Sequence, residues 1–516
     1  MALNLYGHCC RAIIKDVFQE DFDTEGIKEA EAYIIYSRMP SQFIMTDQSS
    51  KDHSSAYATF FHRNILDIKR HLLYFLLNRN RYRQITITTT EIQFLIQYEQ
   101  MHTLKESLHD KRVKSEIYFE ELEHILMFYH GGYVQEHRQG EAVITNRRRF
   151  EIQGFGFGLD FKDASRKALF EYLERFAASF KLQGTICASY EEVRSRAVDP
   201  ASFGLYDAPK PPIVQYSPTI QMEWVNACSL QSGINRLVPE QMSQYLKEDI
   251  LNRFVYESSN GCAIGNSYVE AILYSLYEAM ERDLFMKCWF YGSPLKEIKF
   301  DIELSPPMEA VEMYFDELGY NIKFYYLENK MNICAVWCLI TNQTNNGFYS
   351  ITGLGCHLHI EHAVQAAFFE AHRSFIYYCN KKKEDLEKEI KLAEQLQEIR
   401  NVIDHMHYFL SLTSKPLIEK RIQNTDVIII SKLLGLSFRS VDLKNELNEV
   451  VNRSKKEYDD LLIVDQTNPF LKSFSLFCTK ALLLGAVPLD FTSSYIRPYH
   501  QLNDAKMKER NIHPLA

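Results

Sequence analysis

Several familiar signatures are missing from this 516-residue chain. Its 11 cysteines form an odd, scattered set with no C-x-x-C pair, so no disulfide framework is indicated and a reducing, cytoplasmic setting is expected. No apolar run approaches the roughly 20 residues of a membrane span. The start, Met1 to His8, has no charged segment followed by an apolar core and does not read as a signal peptide. Positive charge is not in excess: the formal net charge is −9, which implies no general attraction to nucleic acid. There is no G-x-x-x-x-G-K-[ST] and no protein-kinase signature set, so a P-loop and a kinase fold are both excluded.

What is present is a large apolar fraction, 46%, enough for a sizeable core and for two or three domains. Within it one pattern repeats. Gly154-Phe155-Gly156-Phe157-Gly158 precedes Asp163-Ala164, six further residues, and Glu171-Tyr172-Leu173-Glu174-Arg175. Ser259-Asn260-Gly261 and Gly265-Asn266 precede Glu270-Ala271, six residues, and Glu278-Ala279-Met280-Glu281-Arg282. A looser copy runs Gly353-Leu354-Gly355-Cys356-His357, then His362-Ala363, six residues, and Glu370-Ala371-His372-Arg373. In E-x-x-E-R both carboxylates and the arginine share one helix face. A single such helix is an ordinary solvated face with local ion pairs. Three spaced copies of turn-then-helix indicate supersecondary units sharing one core.

Residues 1–150 alternate short strand-like and helical runs and read as an accessory region. Ala32–Tyr36 is a strand, 64–77 an amphipathic helix, 86–90 β-prone and 116–128 a helix. The last contains one E-x-x-H, Glu121 to His124; a di-iron bundle needs two and further glutamates, so an ordinary helix face is the reading. Arg147-Arg148-Arg149 reads as a solvated basic corner. From 151 onward strands and helices alternate. The stretches 219–228 and 321–341 are β-rich, with Cys334 and Cys338 in a buried strand. The charged stretch 381–403 reads as an exposed helix opening a variable helical region, about 376–460, with no catalytic part. The stretches 427–430 and 461–465 read as buried strands, and 481–489 as strand and turn.

If the three repeated units pack together, Glu171, Glu174, Glu270, Glu278, Glu281 and Glu370 converge. Crowded carboxylates resist ionising unless cations compensate. Arg175, Arg282 and Arg373 supply part of that charge. The rest points to divalent ions, and an all-oxygen set suits Mg²⁺, which commonly bridges carboxylates to substrate phosphates. Glycine turns at helix entries add backbone N–H groups for phosphate. The residues therefore suggest a nucleotide–Mg²⁺ site built from three helices.

These motifs resemble those of the YcaO superfamily: a G-x-G turn leading to E-x-x-E-R, an S-N-G-x-x-x-G-N-x-x-x-E-A run leading to a second E-x-x-E-R, and G-x-G-x-H leading to a glutamate. The second is nearly complete across Ser259–Arg282. The strand near Lys480 and the closing His513-Pro514-Leu515-Ala516 are similar to the azole-forming branch. The resemblance implies an α/β (α+β) fold of repeated strand–turn–helix units around a central ATP site, with a catalytic domain over 151–516. It implies an ATP-dependent cyclodehydratase that converts Cys, Ser or Thr of a ribosomally made precursor peptide into thiazolines or oxazolines, as in bacteriocin maturation. By motif matching, Glu171, Glu174, Glu278, Glu281 and Glu370 would bind metal. Asn266, Glu270, Arg282 and Arg175 would contact ATP, with Glu281 and Glu370 nearest the chemistry and Pro514 and Ala516 ordering the site. Implied partners are the precursor, an E1-like or ThiF-like leader-binding protein, a flavin dehydrogenase and a second copy of the chain.

Departures from the family pattern are visible. Phe157 replaces a lysine, Lys167 a small hydroxyl residue, Ala366 an arginine, Arg373 a glutamine and Ala516 a proline. Lys167 and Arg373 would return the lost charge to the nucleotide pocket from new positions. Two other outcomes remain open at this point: thioamide or amidine formation at the same site, and a weakened subunit that scaffolds a maturation complex.

Overall fold

The computed structural model describes the backbone of 133–138, 141–146 and 153–157, and then, with short interruptions, 161–491 and 512–515. The expected elements at 32–36, 64–77, 86–90 and 116–128, the Glu121–His124 motif, Arg147–Arg149, the Phe157 side chain and Ala516 lie outside the described residues.

Three sheets organise the rest. The first is antiparallel, β1 (Tyr133–Arg138), β2 (Glu141–Asn146) and β3 (Gln153–Phe157), in that order. It pairs residues before 150 with the first glycine strand. The second contains β4 (Ile186–Ala188), β5 (Met222–Ser229), β6 (Asn235–Pro239), β7 (Cys262–Gly265), β13 (Asp460–Asp465) and β14 (Phe477–Leu484). Its order is β4-β5-β13-β14-β7, with β6 also on β5. The third contains β8 (Leu295–Lys299), β9 (Tyr320–Leu327), β10 (Cys334–Asn342), β11 (Ser350–His357) and β12 (Asp426–Ile429), ordered β11-β10-β9-β8-β12.

Each glycine strand is the edge of a different sheet, and each is followed by a long helix: α1 (Phe161–Ala178), α2 (Tyr268–Tyr291) and α3 (Ile360–Cys379). Glycine is required for α1 and α3 to lie this close to their strands. A Cβ on Gly154 would stand 2.0 Å from the Ala168 carbonyl oxygen, and one on Gly353 would stand 2.3 Å from that of Ala367. These contacts also define the true register of the repeat. Gly154, Gly261 and Gly353 precede Glu171, Glu278 and Glu370 by seventeen residues each and approach the residue after that glutamate.

Helix α2 is central. Leu273, Met280 and Phe285 pack in one core with Trp337 and Leu354 of the third sheet and Leu461 and Ala481 of the second. Strand β10 is buried on both faces: Ala335, Trp337 and Leu339 face that core, whereas Cys334, Val336, Cys338 and Ile340 join Ala363, Ala367 and Phe375 of α3. Both cysteines thus act as small hydrophobes, as their apolar run implied. The segment 427–430 departs from expectation. It forms β12, but at the sheet edge, with Val427 58% and Ile429 37% exposed; only Ile430, which opens the next short helix, is buried. Apolar content indicated a strand there, and only the neighbours could decide its burial. Among the described residues no helix is long and apolar enough to cross a membrane.

Candidate active site

The three long helices meet. Glu171 of α1 accepts a hydrogen bond from the Phe155 amide at 2.6 Å and pairs with Arg175 at 2.6 Å. Glu370 of α3 repeats the first arrangement by accepting from the Leu354 amide. Each of these carboxylates is bonded to the glycine strand of its own unit. Arg282 of α2 crosses to Glu370 at 3.2 Å and lies 3.5 Å from Glu281, so α2 and α3 are joined by an ion pair between units. At the N-terminal end of α2, Ser267 caps the helix through the Glu270 amide. Glu270 is buried and accepts from the Asn266 amide at 2.7 Å and from its side chain at 3.2 Å. The helical rise places Glu270 about 12 Å along α2 from Glu278 and about 18 Å from Arg282. The candidate residues are therefore spread along the helix rather than gathered at one point.

Electrostatics show how close the units come. Glu174 is held well above the usual carboxylate range, first by burial and then by Glu278 and Glu171. Glu278 is pushed up to about 7 by burial, against the opposing pull of Arg282 and Lys480, with Glu370 adding to the rise. Glu281 is pushed up to about 8 by burial, which outweighs Arg282, and Glu370 and Glu278 raise it further. Burial alone would lower the Arg282 pKa, but Glu370, Glu281 and Glu278 raise it, so its guanidinium stays charged. Carboxylates from α1, α2 and α3 thus influence one another in a single desolvated cleft.

The cluster fits a divalent cation that is shared with a ligand. Its carboxylates are short of compensating positive charge, which favours cation binding. Among the described residues, however, no three His, Cys, Asp or Glu side chains form a metal cage by themselves. That donor set suits Mg²⁺ completed by phosphate oxygens.

Two of the replaced positions, Lys167 and Arg373, also lie here. Lys167 of α1 lies 5.2 Å from the ring centroid of Phe369, beside Glu370. Arg373 of α3 and Arg175 of α1 lie 5.4 Å and 5.7 Å from that of Phe155. Ala366 is exposed on α3. Pro514 is buried, and its neighbour His513 lies close enough to Arg282 for the guanidinium to depress the imidazole pKa, after burial and the adjoining His405. Motif reasoning missed Lys480. It is 3% exposed on β14, donates to the Ser258 carbonyl and lowers the pKa of both Glu174 and Glu278. Its signal was a lone lysine in the apolar run Phe477-Cys478-Thr479-Lys480-Ala481-Leu482.

No curated protein matches the chain. Among solved structures, "Heterocyclase in complex with substrate and Cofactor" aligns with a TM-score of 0.60 and 16% identity, over 93% of this chain and 69% of that one. "Structure of the heterocyclase TruD" gives 0.55 and 15%, over 99% and 71%. The Escherichia coli microcin synthetase McbBCD complex with pro-MccB17 bound gives 0.52 and 15%, over 74% and 96%. These are likenesses of fold. The family model described as "YcaO cyclodehydratase, ATP-ad Mg2+-binding" matches residues 155–483, from the first glycine strand to the end of β14, and on that match the chain belongs to the YcaO cyclodehydratase family.

Proposed function

We propose that this chain uses ATP and Mg²⁺ to convert Cys, Ser or Thr residues of a ribosomally made precursor peptide into thiazolines or oxazolines. The observation that carries the reading is the convergence of acidic side chains from three separate strand–helix units, two of them pushed to about 7 and about 8. In the reaction the side-chain sulfur or oxygen adds to the preceding carbonyl carbon. The resulting hydroxyl oxygen takes the γ-phosphoryl group, and phosphate departs with that oxygen as the ring C=N forms. Mg²⁺-ATP supplies the phosphoryl group and the metal charge when bound.

On this reading Glu171, Glu174, Glu278, Glu281 and Glu370 hold metal. Asn266 and Glu270 receive the nucleoside end, while Arg282, Arg175, Lys167 and Arg373 face the phosphates. Glu281 and Glu370 lie nearest the transferred group, and Pro514 and Ala516 order that end. Glu171 and Glu370, paired here with Arg175 and Arg282, would be shared between those guanidinium groups and a bound metal. Residues 1–150 serve as an accessory domain, with 133–146 extending the first catalytic sheet. The fold neighbour seen with pro-MccB17 in a multi-protein complex supports a peptide substrate and partner proteins, one of which we take to be a leader-binding E1-like or ThiF-like protein. A cytoplasmic setting, a flavin dehydrogenase acting on the azolines and a homodimer complete the proposal.

The test is ATP turnover with a Cys- and Ser-rich peptide and its leader-binding partner. One water is lost per processed residue, and an isotopic label in the amide oxygen appears in inorganic phosphate. ATP turnover without loss of water, or with sulfur incorporated in place of oxygen, overturns azoline formation. Failure to bind nucleotide in the presence of Mg²⁺ overturns the site.

A further inference from the structure

We propose that the helix Val402–Leu410 is the seat that holds the segment Ile512–Leu515 at the Arg282 end of the cleft, and that His405 is the positioning residue of that seat. The helix belongs to the region that sequence reasoning left without a part in the chemistry.

His405 and His513 are both fully buried. Their rings stack at 4.2 Å with 19° between planes. Nδ1 of His405 lies 3.0 Å from the His513 carbonyl oxygen, which it reaches as a donor when it carries the ring proton. On the other side, Nε2 of His513 lies 2.9 Å from the Asp490 carbonyl oxygen, and the Asp490 carboxylate accepts from the Tyr206 hydroxyl at 2.8 Å. Phe491 stands edge-on to both imidazoles. Ile512 and Leu515 enter the same core as α2.

Helix α2 completes the arrangement. Trp289 donates to the Ile512 carbonyl at 2.8 Å, and Phe290 meets the His513 ring edge-on. Trp289 follows Arg282 by two helical turns, and the Arg282 charge is felt at His513. The seat therefore tethers the segment to the helix that carries Glu281 and Arg282. Burial holds both imidazoles uncharged near neutral pH, His405 at about 4, so the stack is not opposed by like charge. Seating the segment thus fixes the stretch of α2 beyond Arg282 through Trp289 and Phe290, and its loss would free that stretch.

The catalytic readout rests on the proposed function, whereas the docking readout does not. Full-length His405→Ala, His405→Phe and His513→Ala are compared with the parent. In His405→Ala, amide exchange at His513 and Leu515 rises about tenfold or more while α2 stays protected. Peptide-dependent kcat falls about tenfold with KM for ATP within about twofold, the pattern of lost positioning. His513→Ala gives the same lesion, the double variant is no worse than either single one, and His405→Phe, which keeps a ring in the stack, recovers part of the protection. Unchanged exchange at 513 and 515, unchanged kcat, or additive losses overturn the proposal. If α2 also loses protection in His405→Ala, His513→Ala decides, because it alters the docked segment and leaves the helix intact. A parent chain with no peptide-dependent turnover refutes the proposed function, and exchange alone then confirms or refutes the seat.

Discussion

Glu278 and Glu281 lie one turn apart on α2 and are pushed to about 7 and about 8, chiefly by burial. The folded chain therefore keeps protons that the unfolded chain releases above the ordinary value of 4.5. Stability from these groups is fully present below that value and is lost as pH rises through their folded pKa values. The melting temperature of the nucleotide-free chain is expected to fall between about pH 5 and about pH 8, and Glu281→Gln to flatten that fall. The same substitution removes a site charge while leaving the shape, so turnover should drop by about a hundredfold or more with the circular dichroism spectrum unchanged. Lys480 belongs to this balance. Lys480→Met withdraws a buried cation from Glu174 and Glu278, and both should hold protons more strongly. Metal must then displace more protons, so the Mg²⁺ concentration for half-maximal turnover should rise about tenfold at neutral pH. The glutamates were legible because they recur at one spacing; Lys480 was not, because a single lysine in a strand has no partner in sequence.

At the scale of elements, the strand–helix unit depends on a missing side chain. Gly353→Ala sets a methyl 2.3 Å from the Ala367 carbonyl oxygen and 2.4 Å from the Ala371 amide nitrogen. Helix α3 must move off β11, which strains the Leu354–Glu370 bond. Urea denaturation should show a loss of about 1–3 kcal/mol, and turnover should fall further than that loss explains. Sequence periodicity located these elements well: β9 and β10 match the β-rich stretch 321–341 to within one residue at each end, and the helix Lys383–Glu394 lies within the charged stretch. Burial was harder to read. The apolar run at 427–430 occurs at an edge because, among the described residues, β12 pairs only with β8, and no local pattern reveals which side of a strand is left uncovered.

At the scale of the molecule, three sheets each contribute one edge strand and one helix to a common acidic cluster, so a ligand bound there is expected to touch all three units. Mg²⁺ with a non-hydrolysable nucleotide at a hundredfold excess over Kd should stabilise the chain by about 2.7 kcal/mol. Amide exchange should slow in α1, α2 and α3 together. Protection confined to one helix would show that the units do not share a ligand. The amino-acid sequence by itself determined which helices carry the acid groups, which glycines precede them and what chemistry such a set can support, because those properties are local and periodic. Only the tertiary structure decided that Arg282 answers Glu370 across two units, that the Lys480 charge acts on Glu174 and Glu278, and that His405 receives His513. Each of those pairings joins residues that are distant in the chain, and their proximity follows from how three sheets pack.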